Sequence, residues 1–283
     1  MLVTMKEILD RASTEGYAVA APNANNQVEV EACIAAAEEM KAPLILDVHL
    51  DDFSAFATPV SPHLYGMWLR LRCEESFVPI AINEDHGASY QTAVQNIARG
   101  ATSVMADRSS LSYEENVAEV RRVVEVAHAA GVSVEAELGH VGVAANYTVD
   151  RDAALTDPAV AKQFIEDTGI DALAVAVGTA HGKYPEGMEP NLDFERLAAI
   201  KAAVGNFPLV LHGSSGTPHD QLYKACRMGI NKVNIATAPS QAALNACKAA
   251  DKYSPCNIAK RAIIAKLKEM IPIYGSDGKA WTK

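Results

Sequence analysis

The sequence predicts an α/β fold, a (β/α)8 TIM barrel formed as a single domain over residues 1–283, with closing helices near the C-terminus. Three observations predict it. Eight short apolar runs alternate with stretches of helical periodicity, and nearly every run is followed by one. The runs are continuous rather than alternating, as parallel strands covered on both faces must be. Three of them end alike, each delivering a histidine followed by glycine: His86-Gly87, His181-Gly182 and His212-Gly213. A doubly wound open sheet is the alternative. No strand leads into a G-x-G-x-x-G turn, which argues against a dinucleotide site.

The elements follow in order. Met5–Thr14 has the spacing of a short amphipathic helix, and Tyr17–Ala21 is the first strand, running into Pro22-Asn23-Ala24-Asn25-Asn26. The helix Gln27–Met40 is rich in alanine and glutamate, and Pro43–Val48 is the second strand, ending at His49. Leu50–Pro62 is irregular, and Leu64–Glu75 is helical again. The third strand, Val78–Ile82, breaks off at Asn83-Glu84-Asp85-His86-Gly87. Tyr90–Arg99 is a helix with Gly100 at its C-terminal end. Ser103–Ala106 is the fourth strand, ending at Asp107. Ser112 and Glu115 have capping-box spacing for a helix reaching about Ala130. The fifth strand, Val132–Ala136, ends at Glu137-Leu138-Gly139, before a loop over His140–Leu155. Pro158 sits in the first turn of the next helix. The sixth strand is Ala172–Val177, followed by a helix over Leu192–Ala203. The seventh, Phe207–Leu211, precedes the helix Pro218–Met228. The eighth is Lys232–Ile235, and Pro239–Lys252 and Cys256–Met270 close the chain.

Composition narrows the function. A net charge of −10 argues against a nucleic-acid backbone or an anionic membrane as partner. No run approaches the ~18 apolar residues of a membrane span. The five cysteines are scattered with no C-x-x-C pair, so reduced thiols and a cytoplasmic location are expected. Met1–Glu7 lacks the basic and apolar pattern of a secretion signal.

In a barrel the reactive groups stand at the carboxyl ends of the strands. Those positions hold Asn23, Asn25, His49, Asp85, His86, Asp107, Glu135, Glu137, His181, His212, Ser215, Asn234 and Thr237. One histidine there would be an ordinary packed or hydrogen-bonded side chain. Three at equivalent strand ends suit a divalent ion such as zinc with an open fourth position. The turns Gly213–Gly216 and Asn234–Thr237 follow the last two strands, where barrels often bind phosphate through N–H groups and hydroxyls. Asn25 is expected to contact substrate.

Five motifs, in this order, resemble one family: Asp85-His86-Gly87, Val134-Glu135-Ala136-Glu137-Leu138-Gly139, Gly178-Thr179-Ala180-His181-Gly182-Lys183-Tyr184, Leu211-His212-Gly213-Ser214-Ser215-Gly216 and Asn234-Ile235. With the terminal Tyr274-Gly275-Ser276, they are similar to the class II, zinc-dependent fructose-bisphosphate and tagatose-bisphosphate aldolases. The resemblance implies a lyase acting on a phosphorylated ketose or related sugar through a metal-stabilised enediolate. It implies zinc on His86, His181 and His212 with Glu137 and Asp107 close by, Asp85 as acid/base, and Glu135 behind the ligands. It assigns Gly182, Gly213, Ser215, Asn234 and Thr237 to phosphate and a monovalent cation, Na+ or K+. A homodimer or homotetramer is the expected assembly.

Three stretches depart from the family's usual pattern. The loop His140–Tyr147 carries no acid, where the family has one that moves a proton. Ala236 and Ala238 stand where acids follow the eighth strand, and Asn83 stands where histidine is common. The expectation is poor fructose 1,6-bisphosphate cleavage, a different ketose as substrate, and His140 or His49 in the proton-transfer role. A metal-dependent isomerase or epimerase and a non-catalytic paralogue are the alternatives. A Schiff-base aldolase would need a lysine in the barrel mouth. Lys41 and Lys232 are expected before their strands at the opposite end, and Lys183 in a loop.

Overall fold

The computed structural model describes residues 1–50, 61–142, 144, 155–182, 184, 187–250 and 254–282. Most of the irregular stretch Leu50–Pro62, much of the loop His140–Leu155, and Lys183 lie outside these residues.

Eight parallel strands form one sheet: β1 (Val19–Pro22), β2 (Leu44–Val48), β3 (Ile80–Gly87), β4 (Ser103–Ala106), β5 (Ser133–Leu138), β6 (Ala172–Val175), β7 (Leu209–Leu211) and β8 (Ile230–Ile235). Seven adjacent pairs run from β1 through β8 and back down to β2. The ring closes between β1 and β2 by a parallel bridge from Asn23 to Asp47, with Ala24 N donating to Asp47 O at 2.9 Å. Closure leaves no open edge, as a (β/α)8 barrel requires.

Ten α-helices are described: α1 (Met5–Glu15), α2 (Gln27–Met40), α3 (Pro62–Glu75), α4 (Tyr90–Ala98), α5 (Tyr113–Ala129), α6 (Pro158–Thr168), α7 (Phe194–Val204), α8 (His219–Arg227), α9 (Thr237–Ala249) and α10 (Pro255–Tyr274). Their starts follow local chemistry. Ser112 caps α5 in a capping box with Glu115, and Asp157 caps α6 with Pro158 at its start.

Strand alternation separates two cores. Side chains such as Leu44, Leu46, Ile80, Ile82, Val104, Val134, Leu173, Leu211 and Val233 point outward and pack under the helices. Val19, Ile45, Ala81, Met105, Ala172 and Val210 point inward and form a second core with Met5, Ile8 and Leu9 of α1, which plugs the barrel floor. One step up the strands, the inward positions turn polar. Asp47, Asn83, Glu135 and Lys232 are all at most 1% exposed. Above them Asp85, Glu137, His212 and Asn234 lead into the mouth. The barrel interior thus changes from apolar floor to charged middle to reactive rim.

Lys232 corrects an expectation. It does not precede β8; the strand begins at Ile230, and Lys232 lies inside it. Its side chain enters the barrel, where Nζ contacts Glu135 Oε2 at 2.6 Å and Asp47 Oδ1 at 3.3 Å. A lysine is tolerated there because two buried carboxylates meet it.

Candidate active site

Each histidine is delivered by a different local device. At the end of β3 the register with β4 shifts between Glu84 and Gly87, and His86 has φ 48. A non-glycine residue in the left-handed region carries a conformational cost and turns its side chain out of the strand alternation. The imidazole is held by Asp107 at the end of β4, with Nδ1 2.8 Å from Asp107 Oδ2. His181 lies in the loop after β6. Its backbone is tied to the loop after β5, His181 N donating to Gly142 O and Ala144 N donating to His181 O, both at 2.8 Å. His212 follows β7 and is completely buried. Its Nε2 is 2.7 Å from Glu135 Oε1, and Thr179 Oγ1 donates to its carbonyl at 2.6 Å.

The three rings converge. Centroids of His86 and His181, and of His86 and His212, are 4.8 Å apart, and those of His181 and His212 are 5.6 Å apart. One nitrogen of each can be chosen so that all three lie within 4.8 Å of one another. On each ring one nitrogen is buried without a hydrogen-bond partner: Nε2 of His86, Nε2 of His181 and Nδ1 of His212. Buried polar atoms are rarely left so. Three bare imidazole nitrogens facing one point fit a zinc-type ion, with an open position left for water or substrate. His86, Asp107 and Glu137 form a second group within the same spacing, overlapping the first at His86.

The electrostatics separate the three rings. Burial, with the neighbouring His212 and His86, pushes the His181 imidazole down to about 3. Burial also lowers His212, against the pull of Glu135. His86 behaves oppositely: burial is outweighed by the hydrogen bond to Asp107 and by Asp85, raising it to about 9. Burial opposes the charge of Asp107, but its hydrogen bond to His86 wins and holds the carboxyl low. Burial and the nearby Asp107 raise Glu137 to about 8, although Val141 N donates to its Oε1 at 2.9 Å.

Asp85 is 7% exposed and lies beside the rings, its Oδ1 3.9 Å from His86 Nε2. It accepts from Asn23 Nδ2 at 2.8 Å and from Asn234 Nδ2 at 3.3 Å. Burial opposes its charge, yet His86, His212 and Lys232 hold the carboxyl well below its ordinary range. Asn234, expected at the phosphate, therefore already spends one donor on Asp85.

His140 sits half-exposed at the rim. Its Nδ1 is 2.9 Å from Ser109 Oγ and 3.8 Å from Glu137 Oε1. Ser109 Oγ donates to Asp107 Oδ1 at 2.8 Å. His140, Ser109, Asp107 and His86 thus form one chain of contacts. Ser109 was not among the expected site residues, although it follows Asp107 by two positions. His49 contacts Asn25 just past the ends of β1 and β2: its N donates to Asn25 Oδ1 at 3.0 Å and its Nδ1 lies 3.3 Å from the same atom.

At the ends of β7 and β8 the backbone is compact. Gly213 has φ 65, and a Cβ there would come within 2.5 Å of Ala180 O, so only glycine fits. Gly182 has φ 94. Ser215 Oγ accepts from Ala238 N at 3.3 Å, placing its hydroxyl at the start of α9, whose first residue is Thr237. The expected phosphate residues Gly182, Gly213, Ser215 and Thr237 thus lie in the glycine turns and at the start of α9.

A closed parallel barrel with three histidines and several carboxylates at its C-terminal mouth is the architecture of a TIM-barrel enzyme, and the histidines form a candidate metal site. The chain matches the family model "Fructose-bisphosphate aldolase class-II" over residues 3–279. It is 38% identical to the fructose-bisphosphate aldolase of Thermus caldophilus, covering 99% of this chain and 100% of that protein. It is 38% identical to that of Geobacillus stearothermophilus, covering 99% of each. Among solved structures, the YdjI aldolase from Escherichia coli K12 superposes with a TM-score of 0.88 at 33% identity, over 99% of this chain and 100% of that one. The chain belongs to the class II fructose-bisphosphate aldolase family, and is a lyase of the aldolase type. None of the helices described is long and apolar enough to cross a membrane.

Proposed function

We propose that this protein is a zinc-dependent aldolase that cleaves or forms a carbon–carbon bond in a phosphorylated ketose or related sugar, and that fructose 1,6-bisphosphate is not its best substrate. The observation that carries this reading is the trio of buried, unpartnered imidazole nitrogens of His86, His181 and His212 beside a charged Asp85. These residues would hold the metal, with Glu137 and Asp107 next to it. A zinc ion there would supply a Lewis acid for a ketone oxygen.

The chain's own groups do the rest. Asp85 is kept ionised and is steered by two asparagine amides, so it can take the proton of the hydroxyl whose carbon becomes the aldehyde. Gly182, Gly213, Ser215, Asn234 and Thr237 would bind the phosphate, with room for a monovalent cation. Asn25 would meet the substrate from the β1 side. His140 would move the second proton in place of the missing loop acid. Its Nδ1–H is engaged by Ser109, which leaves Nε2 as the base. Ala236 removes a further acid from the mouth, which supports a substrate other than the family's usual bisphosphate. A single-domain homo-oligomer in the cytoplasm completes the proposal.

The test is a screen of phosphorylated and unphosphorylated ketoses with the zinc-loaded protein, detecting the aldehyde released. The proposal expects one ketose derivative to be turned over well above fructose 1,6-bisphosphate. No aldehyde from any ketose, with zinc bound, would contradict it.

A further inference from the structure

The charged layer beneath the histidines has a role that the reaction does not itself require. We propose that Lys232 is a positioning residue for the metal site: its ammonium orients Glu135, which in turn holds His212 by Nε2 and leaves Nδ1 facing the other histidines.

The two oxygens of Glu135 are divided between two partners. Oε1 is 2.7 Å from His212 Nε2, and Oε2 is 2.6 Å from Lys232 Nζ. All three side chains are completely buried, so no water competes for these positions. A carboxylate can only accept, so His212 Nε2 must carry the hydrogen and Nδ1 the lone pair. That Nδ1 is the nitrogen left without a hydrogen-bond partner. A histidine ligand is commonly fixed in this way by a carboxylate behind it. Here the carboxylate is itself fixed, by a cation reaching across from β8.

Lys232 is anchored on its other side. Asp47 Oδ1 lies 3.3 Å from Nζ and also accepts from Asn83 Nδ2 at 2.8 Å. A contact path therefore runs from β2 and β3 through Lys232 to Glu135 on β5 and His212 after β7. Asn83, at a position where the family commonly has histidine, is one of its ends. Without the ammonium, Glu135 Oε2 would lose the partner that sets the plane of the carboxylate. His212 would then be free to turn, and the three nitrogens would no longer converge.

The inference rests on the metal reading of the three histidines, and the two fail differently. If that reading is wrong, the wild-type protein binds no zinc at the site. If only the role of Lys232 is wrong, the wild type binds zinc and the variants bind it equally well. Lys232→Met alone strands the carboxyl groups of Glu135 and Asp47 without their shared cation, so it is paired with Asp47→Asn to remove one of the two with it. Zinc affinity is measured by chelator competition on the wild type, Glu135→Gln, Lys232→Met/Asp47→Asn and the triple variant, each shown to be folded by its thermal transition. The expected loss is about 10- to 100-fold for Glu135→Gln and for the Lys232 pair. The triple variant should bind no worse than the weaker of these two, because both act through one hydrogen bond. Wild-type affinity in the Lys232 pair would overturn the proposal, as would losses that multiply in the triple variant. A second measurement needs no variant: imidazole nitrogen chemical shifts in the metal-free wild type should show His212 with its hydrogen on Nε2. The other tautomer would equally overturn it.

Discussion

His86 Nδ1 lies 2.8 Å from Asp107 Oδ2, while Nε2 of the same ring is buried with no hydrogen-bond partner. Asp107 therefore decides which nitrogen faces the other two histidines. Asp107→Ala should weaken zinc binding about 10- to 100-fold while the barrel remains folded. Chelator competition measures this; unchanged affinity would show that the carboxylate is dispensable.

His140 is tied to the same carboxylate through Ser109. His140→Ala should lower turnover of the preferred ketose about 100-fold or more, in the range of a lost general base. Zinc content should stay the same. The wild type should cleave fructose 1,6-bisphosphate weakly or not at all. Family-typical turnover of that sugar would mean that the missing loop acid and Ala236 do not matter.

Lysine chemistry is not expected. Lys232 is the lysine seen inside the barrel among the described residues, and its ammonium is held between Asp47 and Glu135. Nearby carboxylates keep it protonated despite burial, so it is a poor nucleophile. Borohydride added with substrate should trap no covalent adduct, whereas a chelator should abolish activity and added metal restore it. An adduct mapped to any lysine would contradict this.

Much of the fold was legible because the strands are apolar on both faces and the helices carry their own start signals. The helix Gln27–Met40 and the strand Ser103–Ala106 lie where the pattern puts them. The misread ends have one physical cause. β3 continues through Asn83–Gly87, and β8 starts at Ile230 rather than Lys232. In both, polar residues look like loop but pair as strand, because a barrel interior can hold an internal ion-pair layer. Lys232 and Asn234 are two apart and so share a face. That spacing was the available signal for an inward lysine. The histidines were legible by their equivalent positions. Ser109 was not, since its role depends on contacts with Asp107 and His140 from another loop.

Stability should report one partly buried amine away from the site. Lys201, in α7, donates to Phe207 O at 2.9 Å, and burial lowers its ammonium to about 8 from its ordinary value. The folded state therefore binds this proton less well than the unfolded chain. Stability should rise with pH between about 8 and the ordinary lysine value of about 10.4. Compared with Lys201→Met, the wild type should gain stability over that window in denaturant titrations. An equal pH slope in both proteins would remove Lys201 as the cause.

The most direct test of the account is the metal content of purified protein and of three single variants, His86→Ala, His181→Ala and His212→Ala, measured by elemental analysis. The account predicts about one zinc-like ion per wild-type chain and loss of most of it in each variant. Full retention of metal in all three variants would contradict it.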